Sequence, residues 1–266
     1  MEYYTRYGLE FNPFLKNSKE ILLETEEYKE AVYRLNYLLS TKGFGVLTGS
    51  PGKGKTTLVR NWAKSLNPSL YKVIYTCFST LSANDFYRTL ASDLGAEAAF
   101  KKPDNFKRIQ EEINRLALEK KKTPVIIIDE ANYINAAILN DFKLLFNFEM
   151  DSRDRAVVLL AGLPKINTTL NLGIHEPFRQ RVIMNYNLEG ITKEEGKDYI
   201  HTKLKEAGCI QTVFEDAAIE AILNAADGTP RLINKFCNSC LLVGDAMKAE
   251  MITADIVMKG IAECEL

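Results

Sequence analysis

No apolar run in this 266-residue chain approaches the roughly 20 residues that a helix needs to cross a bilayer. The first six residues, MEYYTR, also lack the charged-then-apolar layout of a secretory signal. The expectation is a cytoplasmic protein with no membrane partner. Cysteine is scarce and odd in number, at Cys77, Cys209, Cys237, Cys240 and Cys264. Five thiols without a signal argue for reduced cysteines and against a disulfide framework. Cys237 and Cys240 form one C-x-x-C inside a helical pattern, with no second pair and no histidine nearby. That spacing reads as core packing rather than metal or redox chemistry. There is no helix-turn-helix or zinc-finger pattern, so specific reading of DNA bases is not expected. Internal repeats and low-complexity segments are absent as well.

What is present is an ordinary globular composition, 46% hydrophobic and 26% charged, ample for a sizeable core. The length allows one large domain, or a core domain plus a small one. Charge is uneven. Residues 1–187 carry 26 basic and 21 acidic side chains, a net +5, while residues 188–266 carry 8 and 14, a net −6. A mildly basic front permits a polyanionic partner without demanding one.

One stretch organises the rest. Gly49-Ser50-Pro51-Gly52-Lys53-Gly54-Lys55-Thr56 fits the phosphate-loop pattern G-x-x-x-x-G-K-[ST]. Phe44 to Thr48 before it reads as a buried strand, and Lys55 to Leu66 after it reads as a helix. A strand, a glycine-rich turn and a helix N-terminus gather backbone N–H groups around one point, which favours a polyphosphate. Gly49 to Thr57 are therefore candidate nucleotide-binding residues. Lys55 would reach the β- and γ-phosphates of ATP, and the Thr56 hydroxyl would bind Mg²⁺.

The remaining chain alternates strand and helix up to residue 188. The first 20 residues are aromatic and irregular, with Tyr3, Tyr4, Tyr7, Phe11 and Phe14, and Pro13 barring a helix. An aromatic lead-in can touch a nucleotide base or simply pack. Glu24 to Ser40 reads as an amphipathic helix with Tyr28, Val32, Leu35 and Leu39 on one face. Tyr71 to Phe78 reads as a strand, and Ser82 to Leu94 as a helix closed by Gly95. Residues 95–105 read as a loop and Phe106 to Lys122 as a helix. Lys101 and Lys102 fall in that loop, where no helix dipole explains them, and are candidate DNA contacts. Pro124 to Glu130, PVIIIDE, reads as a central parallel strand with two carboxylates at its C-terminal end. Asp129 is placed to hold Mg²⁺ through water, and Glu130 to polarise an attacking water. Ile138 to Phe148 reads as a helix, Arg155 to Gly162 as a strand, and Val182 to Leu188 as a fifth strand. From Glu189 the pattern is helical only, with a capping box at Thr192–Glu195 and a break at Asp227-Gly228-Thr229-Pro230-Arg231. The fold class is α/β: a P-loop NTPase with a mostly parallel sheet and helices on both faces, then a small all-helical lid. The boundary is placed at 1–188 for the core and 189–266 for the lid.

The order of these motifs resembles the AAA+ ATPases over nearly the whole chain. More narrowly, Tyr7-Gly8-Leu9, Asn12-Pro13-Phe14, GFGVLTGSPGKGKTTL, IIIDEA, VVLLAGLP, FRQRV and DGTPRLIN resemble the general secretion pathway protein A-like ATPases. That group is similar to the ATPases that assist DNA transposition, such as those of phage Mu type. The resemblance implies that Lys55 and Thr56 act as the phosphate-loop pair, with Asp129 as metal carboxylate and Glu130 as catalytic glutamate. It implies that Arg181, or failing that Arg179, is an arginine finger reaching a neighbour's γ-phosphate, and that Arg231 is a lid arginine sensing the nucleotide. It also implies a homo-oligomer formed with ATP, and it likens the Lys101–Lys102 segment to the place where transposition helpers contact DNA. One position departs: the family commonly has a polar residue at the end of the fourth strand, where this chain has Leu163. Either Asn167 or Thr168 substitutes, or hydrolysis is slow and partner-stimulated.

The leading expectation is thus an ATP-hydrolysing switch that assembles on duplex DNA without strong sequence preference, with a transposase or other protein as partner. The rivals are a secretion- or envelope-associated ATPase, and a nucleotide-dependent scaffold with little turnover.

Overall fold

The computed structural model describes residues 3–77, 82–149 and 153–264. Contacts divide the chain into two compact units. One comprises Glu30–Pro51 and Lys55–Leu188; the other comprises Met1–Lys29, Gly52–Gly54 and Glu189–Leu266.

The first unit is an α/β sandwich. It takes most of α1 (Glu26–Thr41), then β1 (Gly43–Gly49), α2 (Lys55–Ser65), β2 (Tyr71–Thr76), α3 (Ala83–Leu94), α4 (Lys102–Asn114) and β3 (Thr123–Ile128). It continues through α5 (Ala136–Leu145), β4 (Val157–Gly162), α6 (Lys165–Leu170), α7 (Glu176–Arg179) and β5 (Val182–Leu188). The five strands pair in the order β2-β3-β4-β1-β5. Every pairing is parallel. All five C-terminal ends therefore share one edge of the sheet, the edge where α/β proteins collect ligand chemistry. The central strands β1 and β4 are buried along their whole length, as two-sided apolar strands must be. Phe44 of β1 anchors an aromatic cluster, with the Phe178 ring centroid at 4.8 Å and that of Phe146 at 5.6 Å. Edge-to-face rings of this kind add to the area they bury.

α1 and α4 differ from their periodicity, and α5, read over Ile138 to Phe148, starts and ends earlier, at Ala136–Leu145. The buried face of α1 is Ala31, Leu35 and Leu38, while Tyr28, Val32 and Leu39 are only half-buried. The small Ala31 carries the seam there, and a reading weighted to large apolar residues passes over it. From pattern alone α4 begins at Phe106, but it begins at Lys102, with Pro103 in its first turn and Asp104 following. Proline is tolerated in a first turn, and an acidic residue suits the N-terminal end of the dipole. Inside that turn Asn105 is fully buried, accepting the Ala99 N–H at 2.7 Å and donating to the Ala99 carbonyl at 3.0 Å. The chain then passes through a π-helical turn at Arg115–Glu119 before β3. Phe78, at the end of the expected second strand, lies outside the described residues.

The second unit is helical, with α8 (Lys193–Glu206), α9 (Asp216–Ala226), α10 (Pro230–Ala246) and α11 (Ala254–Ala262). Thr192 and Glu195 form the reciprocal capping box at the start of α8. The aromatic lead-in belongs to this unit and not to the α/β unit. Tyr7, Leu9 and Phe14 are buried in one cluster with Ile219, Phe236 and Ile256. Asn12 pins the lead-in by donating to Tyr3 Oη and Asn238 Oδ1, both at 2.8 Å, while its own oxygen accepts the Phe14 N–H. The aromatic segment thus packs as core. Cys237 and Cys240 are buried in the same cluster. Burial pushes both thiols up, Cys240 to about 12, which keeps them protonated and unreactive. No helix among the described residues is long and apolar enough to cross a membrane.

Candidate functional site

The C-terminal edge of the sheet brings together the phosphate loop and the two carboxylates that follow β3. β1 ends at Gly49 and α2 begins at Lys55, so the phosphate loop spans the turn between them. Lys55 is 9% exposed and its ammonium donates back to the loop's carbonyls, Gly49 O at 2.6 Å and Ser50 O at 3.1 Å. The buried lysine thus holds its positive charge against the loop's own backbone. Gly54 has φ +98°, a conformation that L side chains rarely adopt, and open space where a Cβ would stand. Both facts leave room for an oxygen atom to approach the backbone at Gly54.

Asp129 and Glu130 follow directly on β3. The Asp129 amide donates to Thr76 O at 2.8 Å, extending the β2–β3 ladder by one residue and fixing where the carboxylate emerges. Thr56 Oγ1 donates to Asp129 Oδ2 at 3.0 Å. A hydroxyl and a carboxylate held side by side are an oxygen-only donor set, the kind Mg²⁺ takes. Glu130 adopts φ 52° and ψ 36°, a left-handed conformation that costs a non-glycine residue energy. It is exposed, and its carboxylate has no hydrogen-bond partner among the described residues. The turn therefore releases Glu130 from the sheet while Asp129 stays 4% exposed.

Two residues of this edge escape sequence reasoning. Tyr75, on β2, donates its phenol proton to Asp129 Oδ2 at 2.8 Å. Asn132 supplies a polar group at the end of β4, where Leu163 is apolar. Its Oδ1 accepts the Leu163 N–H at 3.0 Å and lies 2.8 Å from where a Cβ of Gly162 would stand. The expected substitutes sit otherwise: Asn167 accepts from Asn185 Nδ2 at 3.3 Å, and Thr168 is exposed on α6. A carboxamide three residues beyond Asp129 is visible in the sequence, but its pairing with Leu163 depends on β3 and β4 being neighbours.

The arginines separate clearly. Arg181 is half-buried and donates to Lys143 O at 2.8 Å, at the end of α5. Arg179 is exposed, with two long contacts to Asn171 at 3.3 and 3.4 Å. The lysine pair separates too. Lys102 is the first residue of α4 rather than a loop residue. Its ammonium meets Asp141 Oδ2 at 2.5 Å and lies 5.3 Å from the centroid of the Tyr87 ring. Lys101 precedes the helix and is exposed.

In the helical unit, the phosphate-loop residues Gly52 and Lys53 meet the start of α10. Arg231 N–H donates to Gly52 O at 3.4 Å, and a Cβ on Gly52 would lie 2.9 Å from both Arg231 Cβ and Thr229 Cγ2. Lys53 Nζ donates to Asp227 O at 2.7 Å. The Arg231 side chain is exposed, and its guanidinium has no partner among the described residues. The break Asp227–Arg231 is thus shaped around the tip of the phosphate loop.

Known proteins resemble this chain in sequence and in fold. A family described as AAA domain matches residues 37–170. General secretion pathway protein A of Aeromonas hydrophila is 29% identical over 255 residues, covering 94% of this chain. The chain spans 46% of that relative's length. Among solved structures, the Aeropyrum pernix ORC2 protein, in ADPNP–ADP complexes, superposes with a TM-score of 0.69 at 20% identity, covering 96% of this chain and 71% of that one. The Thermotoga maritima RuvB Holliday junction branch migration motor superposes with a TM-score of 0.60 at 22% identity, covering 90% and 69%. These structural likenesses are likenesses of fold.

Proposed function

The chain belongs to the AAA+ family of ATPases, and from that premise we propose that it binds Mg·ATP on the Gly49–Thr57 loop and hydrolyses it as a self-assembling switch. The observation that carries this reading is the Thr56–Asp129 hydrogen bond, which joins the phosphate loop to the acidic end of β3. Lys55 and the loop's N–H groups bind and orient the β- and γ-phosphates. Thr56 and Asp129 are the residues that would hold Mg²⁺, which supplies charge neutralisation across those phosphates. Glu130 accepts the proton of a water as its oxygen forms the new bond to the γ-phosphorus, in line with the departing ADP oxygen. Asn132, fixed by the Leu163 N–H, is the polar group best supported for steadying that water. Arg179, exposed and weakly held, is the better-supported finger toward a neighbouring subunit, and Arg231 the better-supported sensor beside Gly52.

The test is a pair of substitutions. Lys55→Ala should abolish nucleotide binding. Glu130→Gln should keep binding and lose turnover, because an amide cannot take the proton. Wild-type turnover by Glu130→Gln would remove Glu130 from its role.

For the partner, the net positive residues 1–187 support duplex DNA, held by its backbone after assembly with ATP. The capture of Lys102 by Asp141 leaves Lys101 as the residue of that pair open to phosphate. A second reading, an ATPase serving a secretion apparatus, is favoured by the 29% identity to general secretion pathway protein A. Stimulation of turnover by duplex DNA supports the first; stimulation by lipid vesicles or envelope proteins supports the second.

A further inference from the structure

Tyr75 belongs to none of the nucleotide motifs, yet it reaches their acidic pair. It lies on the edge strand β2, whose last four residues alternate: Ile74 and Thr76 are buried while Val73 and Tyr75 are exposed. Parallel register sets Tyr75 beside Ile127 and Thr76 beside Ile128. From that position the phenol crosses to the residue just past the strand and donates to Asp129 Oδ2 at 2.8 Å. Three donors then hold one carboxylate. Oδ2 accepts from Tyr75 and from Thr56 Oγ1, and Oδ1 accepts the Glu130 N–H at 2.9 Å.

An ionised carboxylate offers about two acceptor positions on each oxygen. Tyr75 and Thr56 together fill those of Oδ2, so the remaining acceptor position lies on Oδ1. Without Tyr75, one donor would hold each oxygen, Thr56 on Oδ2 and the Glu130 N–H on Oδ1, about a torsion that is broad and soft for aspartate. A second donor on Oδ2, coming from β2, narrows that torsion further. Packing gives no reason for the hydroxyl, because Tyr75 is 49% exposed and phenylalanine would cover the same surface.

We infer that Tyr75 is a positioning residue that locks the Asp129 carboxylate in the orientation needed for a divalent cation, and so sets the affinity of the site for Mg²⁺. This rests on the reading of the loop as an Mg·ATP site. Tyr75 touches neither phosphate nor water in this role; it acts through Asp129.

The experiment uses the full chain and the fluorescent nucleotide methylanthraniloyl-ATP. Binding is titrated in EDTA and then across a Mg²⁺ series, for wild type, Tyr75→Phe, Asp129→Ala and the double variant. In EDTA, Tyr75→Phe should bind like wild type. Its half-saturating Mg²⁺ should rise about tenfold, the low end for one hydrogen bond to a charged group, as suits a half-exposed phenol. On the Asp129→Ala background the same change should add nothing, since there is no carboxylate left to position. An unchanged Mg²⁺ requirement in Tyr75→Phe overturns the inference, as does an equal shift on the Asp129→Ala background. Binding that survives Lys55→Ala, or that ignores Mg²⁺ in wild type, overturns the Mg·ATP reading itself and the inference with it.

Discussion

Thr56 and Asp129 lie 73 residues apart in sequence and share a hydrogen bond of 3.0 Å. That bond is possible because α2 starts, and β3 ends, at the same edge of a parallel sheet. The donor and acceptor are the two protein groups assigned to Mg²⁺, so the bond can be tested by isosteric replacement. Thr56→Val should lower Mg²⁺-dependent turnover by about ten- to a hundredfold, the range for losing one charge-assisted bond at a buried site. Thr56→Ser, which keeps the hydroxyl, should retain most activity. Steady-state phosphate release across a Mg²⁺ series distinguishes them, and equal rates for Val and wild type would remove the hydroxyl from the site.

Arg179 and Arg181 have parted company in the fold, and their substitutions should differ in kind. Arg181 caps a carbonyl of α5 through Lys143 O, so Arg181→Ala should cost stability, on the order of 1 kcal/mol. Arg179 is exposed and loosely held. Arg179→Ala should bind ATP normally and lose about a thousandfold in turnover, the effect of an arginine finger in phosphoryl transfer. Mixing Arg179→Ala with Lys55→Ala protein should restore part of the activity, because each supplies what the other lacks. Full activity of a monomer at high dilution would refute completion of the site by a neighbour.

How much of this was legible beforehand follows from the range of each interaction. The phosphate loop, the strand PVIIIDE and the capping box at Thr192 are local patterns, and they stand where spacing puts them. β5 matches its periodicity to the residue, at Val182–Leu188. Tyr75 and Asn132 were not legible, because their partners depend on strand order: β2 beside β3, and β3 beside β4. The true start of α4 was hidden by Pro103, which serves equally well as a loop residue or in a first helical turn. The fate of Lys102 was hidden for another reason. Its partners Asp141 and Tyr87 lie on two other helices, and no sequence spacing announces them.

Lys203 gives a pH dependence to the helical unit. It is 6% exposed, donates to Pro13 O at 2.7 Å, and lies 5.1 Å from the Tyr199 ring centroid and 5.9 Å from that of Phe14. Burial lowers its pKa from the ordinary 10.5 to about 8, with Cys237 opposing slightly. The folded chain then releases this proton near pH 8, while the unfolded chain keeps it to about 10.5. Between those values the unfolded state binds more protons, so raising the pH favours folding. Below pH 8 the buried charge costs on the order of 3 kcal/mol relative to the neutral amine. Lys203→Met, similar in length and apolar, should therefore be more stable than wild type at pH 7. That advantage should shrink steadily from pH 8 to 10.5. Urea unfolding of both proteins across this range gives the comparison, and a constant difference would show that Lys203 does not titrate as buried.

Lys101 is the remaining cation of its pair, and it carries the DNA reading. One exposed lysine per subunit gives too little affinity to matter at physiological salt, where non-specific binding depends on several neutralised phosphates. Copies assembled in register would add their contacts, so DNA binding should require the ATP-driven assembly. Affinity should fall steeply with salt, and Lys101→Ala should flatten that slope. Lys102→Ala should act differently. Its ammonium already meets Asp141 at 2.5 Å, so the change should touch the packing of α4 and leave the salt slope alone. Fluorescence anisotropy of labelled duplex DNA across a salt series, with a slowly hydrolysed ATP analogue and then with ADP, measures both. If assembled protein with the analogue does not bind duplex at low salt, the DNA reading falls and the secretion reading takes its place. If Lys102→Ala flattens the slope as much as Lys101→Ala, the ion pair with Asp141 yields to DNA and both lysines face the duplex.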